Sequence, residues 1–130
     1  MIKKDEFKMA AKLILIVEDS PTDRKIAESV CLDQGYRTVV VTEGDKVLST
    51  AIEQNPDLVL LDVLIPNKNG FQVCRQLKND DATKDVKVVI VSSKDQASDK
   101  FWGLKQGADD YLTKPYKEED LIAIIEKNIK

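Results

Sequence analysis

Polar residues stand where the sequence asks for burial. The apolar run Leu13 to Val17 leads straight into Glu18 and Asp19, and "DLVLLD" (57–62) ends in Asp62. "VKVVIVSS" (86–93) ends in Ser92 and Ser93, and "DDYLT" (109–113) is followed by Lys114 and Pro115. Adjacent carboxylates repel each other and are costly to desolvate. Gathered in one pocket, three of them stay ionised only beside a cation. Oxygen ligands favour a hard ion, and an acidic cluster with open positions suits Mg²⁺. A hydroxyl and a lysine add a hydrogen-bond donor and a fixed cation, which is what an incoming phosphoryl oxygen requires. One carboxylate can then act as nucleophile and form an acyl phosphate. Asp62 stands alone at its strand tip and is the candidate. Glu18 and Asp19 are the paired metal holders.

These residues need elements that bring them together. "KLILIV" (12–17) has the continuous apolar character of a doubly buried strand. Ser20, Pro21 and Asp23 supply a cap, a first-turn proline and a first-turn acid for a helix ended by Gly35. Its apolar side is Ile26, Ala27, Val30 and Cys31. "RTVVVT" (37–42) is a β-branched strand. Asp45 to Gln54 is helical, with Val47, Leu48, Ala51 and Ile52 inward. A third strand (57–62) precedes the loop "VLIPNKNG" (63–70) and a helix from Phe71 to Leu77. A strand (86–93), a helix (96–106), a strand (109–113) and a helix (118–128) complete the order. Strands alternating with helices predict an α/β fold, a doubly wound parallel sheet with helices on both faces. In such sheets ligands sit beyond the carboxyl ends of the strands, and that edge collects every misplaced polar residue.

Composition narrows the classes. The chain has 130 residues, 42% hydrophobic and 33% charged, enough for one domain: a polar tail over 1–11, then a globular unit over 12–130. A net charge of −3 gives no electrostatic footprint for nucleic acid. No apolar run spans a membrane and no signal-peptide core follows the N-terminal lysines, so the expectation is a cytoplasmic protein. Without histidine, His triads, His-ligated zinc and phosphohistidine carriers are excluded. Cys31 and Cys74 form no metal-type pair and are expected as buried free thiols.

The set of motifs resembles a response-regulator receiver domain of the CheY-like, stand-alone kind. The resemblance runs from about Lys12 to the C-terminus. It rests on "VED" (17–19), "LLDVLIP" (60–66) with Gly70, "VSS" (91–93) and "GADDYLTKP" (107–115), in that order. It implies a flavodoxin-like sheet of order 2-1-3-4-5 with five helices. By this resemblance Asp62 accepts a phosphoryl group from a histidine kinase. Asp19, Asp62 and the Leu64 backbone carbonyl ligate Mg²⁺, with Glu18 doing so directly or through water. Ser92 and Lys114 contact the phosphoryl oxygens, and Tyr111 is the aromatic switch. The family has Asp more often than Glu at position 18, and Thr as well as Ser at position 92. Leu64 and Lys94 are placed beside the path of the hydrolytic water. The implied protein is not an enzyme beyond its own phosphotransfer and autodephosphorylation, and is a monomer or weak dimer. "FWGLKQGADDYLTKP" (101–115) is similar to stand-alone receivers of chemotaxis-like systems controlling type IV pilus twitching motility.

Each assignment has a plainer competitor. Glu18 and Asp19 could be a wet strand end, Asp62 or Ser92 a helix cap, Lys114 a surface lysine and Tyr111 simple packing. A P-loop enzyme needs G-x-x-x-x-G-K-[ST], which is absent. A flavodoxin-like binder needs a hydroxyl- and glycine-rich loop where Glu18 and Asp19 stand. An aspartate-nucleophile phosphatase needs D-x-D at the first strand end. A phosphorylation-independent docking module is the remaining rival, yet none of the acids, hydroxyl or lysine is missing. Little chain follows the last helix, so output is expected through a downstream target protein bound by the receiver itself. On a helical wheel Ala97, Phe101, Leu104 and Ala108 form the expected inward side, with Trp102 about 130° away. Trp102 and Tyr111 are therefore the expected output face.

Overall fold

A computed structural model describes residues 11–129; residues 1–10, and with them nearly all of the expected tail, lie outside the described residues. Strand β1 (Leu13–Val17) is buried along its whole length, as a strand covered on both faces must be. Helix α1 (Pro21–Asp33) follows, capped by Ser20, whose hydroxyl accepts from the Asp23 N–H. Then come β2 (Arg37–Val41), a 3₁₀ turn (Gly44–Lys46), α2 (Val47–Gln54) and β3 (Leu58–Leu61). Helix α3 (Gly70–Asn79) opens with a reciprocal Asn69–Gln72 capping box. Strand β4 (Lys87–Ser92), α4 (Ala97–Lys105), β5 (Asp110–Thr113) and α5 (Glu118–Ile129) complete the order. The expected elements are all present, with ends that differ by no more than two residues.

The strands form one parallel five-stranded sheet of order β2-β1-β3-β4-β5. Alternation along each strand sends side chains to opposite faces. Leu15, Val17, Val59, Leu61, Val88 and Ile90 pack with α2 and α3, through Val47, Ala51, Val73, Cys74 and Leu77. Ile14, Ile16, Leu58, Leu60, Val89 and Val91 pack with α1 and α5, through Ala27, Val30, Cys31, Leu121 and Ile125. Both cysteines are free and buried, and burial pushes each thiol up to about 12.

Helix α4 corrects the sequence expectation. Its supposed core stripe faces outward: Phe101 is 63% and Leu104 52% exposed, and Ala97 is exposed as well. Of that stripe only Ala108, beyond the helix end, is buried. Trp102, 51% exposed, therefore flanks an outward apolar face instead of opposing a buried one. The inward residues are Gly103 and Gln106. A Cβ on Gly103 would stand 3.0 Å from Ile90 Cδ1 and 3.2 Å from the Tyr111 ring. The helix backbone thus approaches the sheet edge too closely for a large side chain, and the large residues remain outside. Ile26 and Ile52, expected on inward faces, are also exposed.

Candidate functional site

Backbone hydrogen bonds carry the sheet one residue beyond three of its strands. Glu18 N donates to Val41 O (3.1 Å), Asp62 N to Val17 O (3.1 Å) and Lys114 N to Ser92 O (2.8 Å). The polar residues that follow the apolar runs are therefore held at one edge. Asp62 is fixed from below as well. Gly70 N donates to Val63 O (2.9 Å), and a side chain on Gly70 would collide with the Asp62 carbonyl and with Val63 Cα. That glycine lets the start of α3 close against the loop carrying Asp62.

Glu18, Asp62 and Lys114 meet. The Lys114 ammonium pairs with Glu18 Oε1 and lies 3.0 Å from Asp62 Oδ2. Asp62 Oδ1 accepts from Leu64 N at 3.1 Å, so both of its oxygens are oriented. Asp62 lines a cleft of about 430 Å³, with Asp23, Ile26, Leu64, Ser93, Lys114, Pro115 and Tyr116. Ser92 is fully buried next to this edge, and its Oγ accepts from Lys94 N (3.2 Å). The Tyr111 hydroxyl donates to Lys94 O at 2.7 Å, which draws the half-buried ring against the β4–α4 loop. Asp19 is exposed one residue beyond Glu18.

A residue that sequence reasoning missed completes the lysine's surroundings. Asp23 Oδ2 is 3.0 Å from Lys114 Nζ. Its place in the first turn of α1 had an adequate local explanation, favourable interaction with the helix dipole. Only the docking of α1 against the sheet brings it to Lys114.

The electrostatics follow from burial and proximity. Burial first, and then Asp62, push the Glu18 carboxyl up to about 8, even against the ammonium. Burial alone would push Lys114 down, but Glu18, Asp23 and Asp62 outweigh it and hold the ammonium above its ordinary value. Lys114 holds Asp23 below the usual carboxylate range. Among the described residues no three carboxylates converge on a common point as metal ligands do; the ammonium fills the space between Glu18 and Asp62. Glu18 Oε2 is nevertheless buried without any hydrogen-bond partner. A buried carboxylate oxygen with a free lone pair, next to the acids at positions 19 and 62, fits a small hard cation.

Residues 14–126 match the response regulator receiver domain family. The chain is 44% identical over 112 residues to protein PilH of Pseudomonas aeruginosa, covering 86% of this chain and 93% of that one. It is 37% identical over 117 residues to the DNA-binding response regulator MtrA of Mycolicibacterium smegmatis, covering 90% of this chain but 50% of the relative. A response regulator structure from Chloroflexus aurantiacus superposes with a TM-score of 0.88 at 27% identity, covering 92% of this chain and 98% of that one. The receiver domain of a sensor histidine kinase from Pseudomonas aeruginosa, solved with magnesium coordinated in its active site cleft, superposes with a TM-score of 0.85 at 28% identity, covering 92% and 98%. A match that runs from Ile14 in the first strand into the last helix, with 44% identity to a relative over 86% of the chain, establishes that this chain belongs to the response regulator receiver domain family.

Proposed function

We propose that Asp62 accepts a phosphoryl group from the phosphohistidine of a histidine kinase, and that the protein signals through phosphorylation-dependent contacts with a downstream target. One observation carries the reading: the Asp62 carboxylate lies at the floor of an open cleft with one oxygen held by Leu64 N and the other by Lys114 Nζ. An oriented nucleophile beside a fixed cation is what in-line phosphoryl transfer needs from a protein. An Asp62 oxygen attacks phosphorus, the P–N bond to the donor imidazole breaks, and the imidazole nitrogen keeps that electron pair. Lys114 balances charge on the transferred oxygens, and Ser92 offers its hydroxyl to one of them. Mg²⁺, when bound, neutralises the clustered negative charge; Glu18, Asp19, Asp62 and the Leu64 carbonyl are the residues that would hold it. The cytoplasm is the compartment this reading implies.

The proposed output surface is α4 with β5. Phe101, Trp102 and Leu104 form an exposed apolar face there, and Tyr111 ties it to the site through the Lys94 carbonyl. An exposed aromatic cluster is suited to a protein partner. The similarity to PilH supports a role in a chemotaxis-like pathway controlling type IV pilus motility. The reading is tested by incubating the full chain with acetyl phosphate and Mg²⁺. Label is expected on Asp62 alone, absent from Asp62→Asn and suppressed by EDTA. Label retained in Asp62→Asn overturns the acceptor assignment, and equal labelling in EDTA overturns the metal.

A further inference from the structure

We infer that Asp23 is a positioning residue that keeps the Lys114 ammonium aimed across the site through the phosphorylation cycle; this rests on Asp62 being the phosphoacceptor. Lys114 Nζ touches three carboxylates, Glu18, Asp23 and Asp62. An ammonium has three N–H donors, so these contacts occupy all of them. The reaction claims two of the partners. Glu18 would turn to the cation, and Asp62 becomes an acyl phosphate whose negative charge lies on the phosphoryl oxygens. Asp23 is the one that neither event consumes.

Its placement suits that task. Glu18 and Asp62 side chains are 6% and 11% exposed, whereas Asp23 is 42% exposed at the rim of the cleft. Asp23 sits on a rigid helical turn, opened by Pro21 and capped by Ser20, instead of on a loop. A lysine on its flexible four-carbon stem would otherwise swing toward water once its inner partners were engaged. An ion pair this exposed adds little to stability. What it supplies is direction, and phosphoryl transfer depends on a preorganised cation.

Two other roles make different predictions. If Asp23 acted only by its charge, it would repel a negatively charged phosphodonor, and its removal would speed labelling. If it served only the α1 dipole, its removal would lower the melting temperature and leave the rate unchanged. The experiment measures the rate of Asp62 labelling by acetyl phosphate at saturating Mg²⁺ in the full-length chain, with melting temperatures alongside. The expected order is wild type, then Asp23→Asn, then Asp23→Ala, with Asp23→Ala slower by on the order of tenfold. Asn is isosteric and keeps an acceptor oxygen near Nζ, so its intermediate rate separates positioning from a folding defect. In a Lys114→Gln background the Asp23→Ala loss is expected to vanish. Unchanged or faster labelling of Asp23→Ala, or a loss that persists without Lys114, overturns the inference. Wild-type label found elsewhere than on Asp62 overturns the acceptor reading first, and this inference with it.

Discussion

Replacing Lys114 by methionine isolates the cation that the resting site depends on. Methionine keeps an unbranched apolar stem but removes the charge between Glu18 and Asp62, both buried. Breaking a buried ion pair from one side costs about 3–5 kcal/mol. Here a proton can partly replace the lysine, because Glu18 titrates near 8 already. Its folded value lies above its ordinary 4.5, so the stability linked to Glu18 is fully present below about pH 4.5 and lost as pH rises through about 8. The rise corresponds to about 5 kcal/mol at most, at about 1.4 kcal/mol per pH unit. Wild type in EDTA should therefore lose stability from pH 5 to about pH 8 and then level off, whereas Lys114→Met, with Glu18 raised further, should go on losing it to pH 9. The variant deficit is expected to be about 1–2 kcal/mol at pH 6, where Glu18 holds a proton in both proteins, and to grow by about 1.4 kcal/mol between pH 8 and 9, where only the variant still holds it. Glu18→Gln should flatten the slope, since no histidine titrates in this window. Urea denaturation followed by far-ultraviolet circular dichroism across pH gives these values directly. A Lys114→Met curve that levels off above pH 8 as wild type does, or a Glu18→Gln protein with an undiminished slope, would show that the charges are not coupled as described.

Gly103→Ala places a methyl 3.0 Å from Ile90 Cδ1 and 3.2 Å from the Tyr111 ring. Overpacking costs about 1–3 kcal/mol against a gain of about 1 kcal/mol in helix propensity, so a net loss of about 1 kcal/mol is expected, with displaced Tyr111 ring resonances in NMR spectra; unmoved resonances would count against close packing of α4. Leu64 and Lys94 offer no carboxylate or amide acceptor to hold a hydrolytic water, and exposed Leu64 lines the cleft above Asp62. Leu64→Asn or Lys94→Glu should shorten the lifetime of labelled protein, and decay at the wild-type rate in both would remove these side chains from control of the water.

Most of the architecture and the proposed site can be read from local pattern. A buried strand needs a continuous apolar run, and a polar residue closing such a run marks its end. Parallel strands joined by right-handed crossovers must put those ends on one edge. Glu18, Asp62, Ser92 and Lys114 were therefore findable without coordinates. Helix α4 was not. A helical wheel tells which residues share a side, and it assumes that the apolar side faces inward. The sheet edge instead took the side carrying Gly103, because the helix approaches Ile90 and Tyr111 too closely there for a large side chain. Asp23 was equally hidden, since its local sequence context already accounted for it. Its pairing with Lys114, 91 residues away, exists only once α1 docks on the sheet. The same holds for the Tyr111 hydroxyl and the Lys94 carbonyl. Sequence sets which residues must be buried and where strands end, because those follow from solvation and chain periodicity. Which partner each polar atom finds, and which side a helix turns inward, depends on distances between elements that only the assembled fold creates.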